Sequence, residues 1–211
     1  MTVSVSSLFP IALGKADERY NLNSEERNWM RSLDVHDNYL NRGTVRSDVL
    51  KDEEAKSLLN FIQKNLDEFF YTTYNPSKDT KIKIVQSWFN FTGKDQAHHR
   101  HSHPNSFISG VYYPHCVPND SIVFHSSVQS GVSPMELCIW NKHGTAYHNK
   151  ETRVDVSTGE LILFPSSVEH SVPMVTVDGE ERISLAFNTF VEGTFGEDQF
   201  KNKVTIKVID D

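Results

Sequence analysis

HHRHSHPNSFISGVYYP, residues 98–114, sets four histidines within six positions, at His98, His99, His101 and His103, directly ahead of a β-branched and aromatic run. The whole chain has only 10 histidines. Side chains at i and i+2 of a strand point to the same face. His101 and His103 therefore share a face, with His99 behind them. Such a pair can hold one metal ion if a third ligand arrives from another strand, and neutral imidazole suits iron, zinc, copper and nickel. The motif is weak on its own. A solvated, histidine-rich loop gives the same spelling.

Outward from this stretch the pattern is period two. KIKIVQSWFNF (81–91) alternates through Ile82 and Ile84, and SFISGVYY (106–113) reads as a strand. SIVFH (121–125), MELCIW (135–140), LILF (161–164), SVPMVTV (171–177), RISLAFNTF (182–190) and KVTIKVI (203–209) follow. Turn signals separate them at 118–120, Gly131, Gly144, 157–159 and 178–179. Many short strands with no helix between them indicate an all-β sandwich or barrel, and a double-stranded jelly roll is the natural choice.

Upstream the period changes. Asn23 stands three residues before Glu26, a capping-box spelling, and Trp29, Met30 and Leu33 follow at helical spacing, which predicts a helix over about 24–33. Residues 34–46 read as polar loop. A longer helix is predicted over about 48–71, where Ala55, Leu58, Leu59, Ile62, Leu66, Phe69 and Phe70 form one apolar stripe. Asp52, Glu53 and Glu54 fall in its early part, favourable for the helix dipole. The expected organisation is one domain over 1–211: a helical N-terminal part (1–78) packed on a jelly-roll core (79–211).

Composition narrows the function classes. The 211 residues carry a net charge of −7, with 37% hydrophobic and 23% charged residues. That is a globular composition without the basic footprint of a nucleic-acid binder. Two cysteines, Cys116 and Cys138, make no disulfide framework and read as reduced structural thiols. The first 20 residues lack a basic n-region and a long apolar run, so neither a signal peptide nor a membrane span is expected and the chain reads as cytoplasmic. Asn90-Phe91-Thr92 and Asn119-Asp120-Ser121 spell a glycosylation pattern that nothing else supports.

Two distant segments bear on the histidines. Gly159-Glu160-Leu161-Ile162-Leu163-Phe164-Pro165 reads as a turn, an apolar strand and a stop, and His170 lies five residues on. In RISLAFNTF, Arg182, Ser184, Ala186 and Asn188 share one face, while Ile183, Leu185, Phe187 and Thr189 share the other. Turned inward, Arg182 and Ser184 would form a clamp for a carboxylate, the guanidinium offering two parallel donors. Turned outward, Arg182 is a surface charge at a strand end.

HSHPNSFISGVYY, then GELILFPSSVEH, then RISLAFN together resemble the iron(II)- and 2-oxoglutarate-dependent dioxygenases, closest to a small bacterial and phage group related to prolyl hydroxylases. SSLFPIAL (6–13) and SWFN (87–90) resemble that group too. The resemblance implies Fe(II), 2-oxoglutarate and O2, with hydroxylation of a C–H bond in an unknown substrate, such as a peptidyl or free amino acid. It makes His101 and His170 metal ligands, sets Arg182 on the far carboxylate of 2-oxoglutarate, and gives Ser184 and Tyr113 supporting roles. A buried structural role for Tyr113 is an equal reading. Asn90 could face the pocket, whereas the neighbouring aromatics Trp88 and Phe89 read as core.

The chain departs from the family at His103, where the common pattern has a carboxylate. Three imidazoles leave the full 2+ charge of the ion in the site. His101, His103 and His170 are the favoured ligand set, with Asp95, or His99 paired with His101, as alternatives. His125 and His143 are candidates for the substrate mouth, and His98, His99, His115 and His148 carry no assigned role. Residues 126–135 and 141–153 are polar enough for lid loops. Two other functions compete: a three-histidine cupin-like metal enzyme that does not use 2-oxoglutarate, and a β-sandwich binding protein without catalysis. The expected partner is a small-molecule or peptidyl substrate, with no nucleic acid and no membrane.

Overall fold

A computed structural model describes residues 3, 4, 6, 7, 9–126 and 149–209. The predicted strand at 135–140, the turns at Gly131 and Gly144, most of both lid-loop candidates, Cys138, His143 and His148 lie outside the described residues.

Helix α1 (Ser24–Ser32) forms where the capping box predicts it. Asn23 Oδ1 accepts from the Glu25 and Glu26 amides at 2.8 and 2.9 Å, and Glu26 Oε2 accepts from the Asn23 amide at 2.8 Å. The second helix differs from expectation. Residues 49–51 and 53–55 form 3-10 turns, and α2 runs from Lys56 to Tyr74. Asp52 is not a helix-dipole residue. It accepts from Trp29 Nε1 at 2.8 Å and pairs with Arg46, so a tertiary partner takes the side chain away from the helix end. The stripe behaves as read: Leu58, Ile62, Leu66 and Phe70 are buried at successive i+4 steps. Asn75 closes the helix in the left-handed conformation, its amide bonded to the Tyr71 carbonyl.

The strands are β1 (Gly14–Lys15), β2 (Val35–Asp37), β3 (Arg42–Thr44), β4 (Lys81–Thr92), β5 (His98–His101), β6 (Ile108–His115), β7 (Ser121–His125), β8 (Glu151–Asp155), β9 (Leu161–Pro165), β10 (Glu169–Val172), β11 (Arg182–Phe195) and β12 (Val204–Ile206). One sheet has the order β1-β9-β6-β11-β4-β3-β2, with β12 also on β11. A second sheet has the order β5-β10-β7-β8. Two antiparallel sheets stacked face to face form the double-stranded β-helix that the strand spacing indicated.

Three expectations need correction. Residues 34–46 hold the β2–β3 hairpin, whose three-residue strands are too brief for a period to show. Residues 151–153 open strand β8 rather than continuing a loop, and β8 is an edge strand whose side chains are mostly exposed and polar. Residues 173–177 do not extend β10. Val175 instead exchanges backbone bonds with Asp95 and Gln96 at 2.8 and 2.9 Å.

Alternation along the strands divides the interior in two. Leu161 and Leu163 of β9, and Ile183, Leu185 and Phe187 of β11, pack under α1 and α2. Ile162 and Phe164 face the second sheet, beside Val111, Tyr113 and Ile122. The larger sheet therefore has helices on one face and the smaller sheet on the other, and the candidate site lies on the second face. Gly110 of β6 sits opposite Phe187, and a Cβ there would lie 2.1 Å from that ring. Phe187 is fully buried and cannot swing aside. Gly110→Ala should therefore destabilise the fold by about 1–3 kcal/mol, lowering Tm by roughly 3–10 °C in a calorimetric scan, and Phe187→Leu in the same chain should recover most of the loss.

Candidate metal and cosubstrate site

The histidines meet through sheet register. β5 and β10 are antiparallel, and His101 lies directly opposite His170. Their ring centroids are 4.4 Å apart. His103 follows the end of β5, in a segment pinned by its own amide to the Ser166 carbonyl at 3.0 Å, and its ring lies 4.9 Å from His101 and 5.1 Å from His170. One ring nitrogen from each of the three lies within 4.8 Å of the others, and this is the only group of three or more potential ligands that meets that distance among the described residues. Asp95 and His99 are not in it.

Second contacts orient two of the rings. His101 Nδ1 lies 2.8 Å from the His99 carbonyl, and His170 Nδ1 lies 3.1 Å from the Val168 carbonyl. A carbonyl only accepts, so each Nδ1 carries the proton and each Nε2 keeps its lone pair for a metal. Burial lowers all three pKa values, that of His103 to about 4 and that of His170 to about 3. The imidazoles are neutral at pH 7, the protonation state that a metal ion requires.

Arg182 faces the same cavity. Despite its charge it is only 2% exposed. Its Nε donates to Asp120 Oδ1 at 2.9 Å, one guanidinium nitrogen donates to Ser184 Oγ at 3.1 Å, and Cζ lies 5.2 Å from the Tyr113 ring centroid. The outward, strand-end reading of Arg182 is thus not what the structure has. Asn90 pairs directly across β4–β11 with Ser184, and Trp88 with Ala186, so all four share the cavity face. The Tyr113 hydroxyl is fully buried beside the guanidinium without a well-formed hydrogen bond, and burial holds its pKa far above the usual phenol range. A ligand carboxylate bound there would satisfy it.

Seven of the residues singled out in the sequence thus line one cavity, His101, His103, His170, Arg182, Ser184, Tyr113 and Asn90, whereas Asp95 and His99 do not. Trp88 is a correction, since it lines this cavity whereas Phe89 alone is core. Its i+2 spacing from Asn90 carried that information. His125 is a second correction. It does not line the cavity but bonds Ser171 Oγ at 2.8 Å and sits 3.7 Å from a Glu151 oxygen. Two residues were missed. His98 lines the cavity and stacks on His101 at 4.5 Å, which a ligand-spacing rule does not detect. Asp120 lies inside a turn, where an acidic residue is ordinary.

Comparisons with known proteins bear on the sequence and the fold around this cavity. Residues 86–188, which contain every residue of the cavity named above, match the sequence family described as "Putative 2OG-Fe(II) oxygenase". Among solved structures, an oxidoreductase of the 2OG-Fe(II) oxygenase family from Burkholderia pseudomallei is similar at 14% identity, TM-score 0.55, over 77% of this chain and 74% of that one. HygX from Streptomyces hygroscopicus, with nickel and 2-oxoglutarate bound, is similar at 12% identity, TM-score 0.59, over 85% and 82%. At these identities the structures speak for the fold. Among curated proteins there is no significant match. The family match spans the two histidine segments and the arginine strand, and the fold around them is the double-stranded β-helix. Just under half of the chain, residues 86–188, thus matches the 2OG-Fe(II) oxygenase family in sequence, and the fold is similar to that of solved 2OG-Fe(II) oxygenase structures.

Proposed function

We propose that this oxygenase hydroxylates a C–H bond of a small-molecule or peptidyl substrate, for which a peptidyl or free amino acid is the leading class. His101, His103 and His170 hold the iron, and Arg182, Ser184, Tyr113 and Asn90 receive 2-oxoglutarate. The observation that carries this reading is the placement of a buried guanidinium and an unsatisfied phenol in the same cavity as a three-histidine cluster. Bound iron and 2-oxoglutarate supply the oxidising chemistry, consuming O2 and leaving succinate and CO2.

The chain's own residues do the rest. Nδ1–H bonds to carbonyls fix the His101 and His170 rings, so the metal meets preset ligands. Asp120 fixes Nε of Arg182, leaving its terminal nitrogens to Ser184 and to a ligand carboxylate. The Tyr113 hydroxyl is the further donor on that carboxylate. Val111, Ile122, Phe164 and Ala186 line the remaining wall and exclude water. The rival three-histidine enzyme without 2-oxoglutarate gives no use to Arg182, and a buried guanidinium is costly to keep without one.

Two outcomes test this. Titrating 2-oxoglutarate into the Fe(II)-loaded protein without oxygen should produce the weak visible metal-to-ligand charge-transfer band, and Arg182→Ala should weaken that binding on the order of 100-fold while iron stays bound. Unchanged affinity in Arg182→Ala would reject the carboxylate role. Separately, His170→Ala should lose stoichiometric iron after desalting, measured by metal analysis. Full retention would mean that His170 is not a ligand.

A further inference from the structure

Among the described residues, the cavity is lined by four imidazoles and one guanidinium and by no carboxylate. The three ligand imidazoles bring no charge, so a divalent ion keeps both positive charges, and Arg182 adds a third. 2-Oxoglutarate, with two carboxylates, leaves one positive charge over in a buried cavity that offers no acidic side chain among the described residues. An unbalanced charge in such surroundings is expensive. A carboxylate at position 103 would remove it, but the chain has His103.

Asp120 is the buried acid that meets this need. It is 7% exposed and meets the cavity through Arg182, Oδ1 accepting from Nε at 2.9 Å. Its position is fixed by the backbone: its amide donates to the Val117 carbonyl at 3.2 Å, and its carbonyl accepts from the Val156 amide at 3.1 Å. Oδ2 is buried with no well-formed partner, so Asp120 spends its charge on the guanidinium. We infer that Asp120 is the residue that positions Arg182 and offsets its charge, so that the cavity holding a metal ion and a dianionic cosubstrate is neutral although His103 supplies no carboxylate. This rests on the oxygenase reading above and adds to it the coupling of two residues at opposite ends of the cavity. With Asp120 included, the metal, Arg182 and the cosubstrate sum to zero.

The coupling is testable by a double-mutant cycle. Binding of 2-oxoglutarate to the nickel(II)-saturated protein is measured by isothermal titration calorimetry in the wild type, His103→Asp, Asp120→Asn and the double variant, with bound nickel verified in each. His103→Asp adds a negative charge that Asp120 has already supplied, and should weaken binding on the order of tenfold. Asp120→Asn keeps an oxygen for Nε and should bind within about twofold of the wild type, while lowering the Tm of the metal-free protein. The double variant should return to within about threefold of the wild type. His103→Glu repeats the cycle if the shorter acid does not retain nickel. A double variant as weak as His103→Asp, or weaker, would overturn the inference and leave Asp120 as a structural anchor. So would undiminished binding in His103→Asp. Failure of the wild type to bind 2-oxoglutarate would overturn the oxygenase reading as well, whereas binding that needs Arg182 but shows no coupling would overturn the charge balance alone.

Discussion

Strand β11 has to meet two opposed surroundings at once, and the rest of the molecule follows from how it does so. It lies between β4 and β6, and its first eight residues are all buried. A buried strand normally reads as continuous hydrophobics. Here the alternation survives. Ile183, Leu185 and Phe187 enter the core under the helices, while Arg182, Ser184 and Ala186 enter the cavity. A one-residue slip would drive the guanidinium into the apolar core and the leucine into the site. Eleven residue pairs with β4 hold the register. The tight fit of Gly110 against Phe187 holds it from the β6 side.

The smaller sheet sets the histidines by the same means. His101 and His170 are 69 residues apart in sequence and directly opposed in the β5–β10 ladder. Only His103 lies beyond the ladder, and the Ser166 carbonyl and a hydroxyl cluster of Ser106, Ser109 and Ser166 fasten its segment to β6 and β9. The cavity is thus built from two rigid sheets, with imidazoles on one and the guanidinium on the other. A bridging ligand with a chelating end and a carboxylate end fits that division. Among the described residues, no helix is long and apolar enough to cross a membrane.

Much of this was legible because period and face are local properties. The alternation of RISLAFN showed which side Arg182 and Ser184 share, and the apolar stripe of α2 showed its buried side. What alternation could not give was direction. It divided β11 into two faces without saying which one met the histidines, so Arg182 remained open until the sheets were stacked. Short or polar edge strands escaped for a different reason: β2, β3 and β8 are set by pairing, not by their own side chains. Asp120 and His98 escaped because their roles exist only through partners, Arg182 sixty-two residues away and the stacked ring of His101. The N-terminal acids of α2 misled because Trp29 and Arg46 compete for Asp52.

The most direct measurement is a crystal structure of the protein grown without oxygen in the presence of iron(II) and 2-oxoglutarate, with the metal located by anomalous scattering. The account predicts one iron bound by the Nε2 atoms of His101, His103 and His170, with the distal carboxylate of 2-oxoglutarate on Arg182, Ser184 and the Tyr113 hydroxyl. Iron held by a carboxylate in place of His103, or 2-oxoglutarate bound away from Arg182, would contradict it.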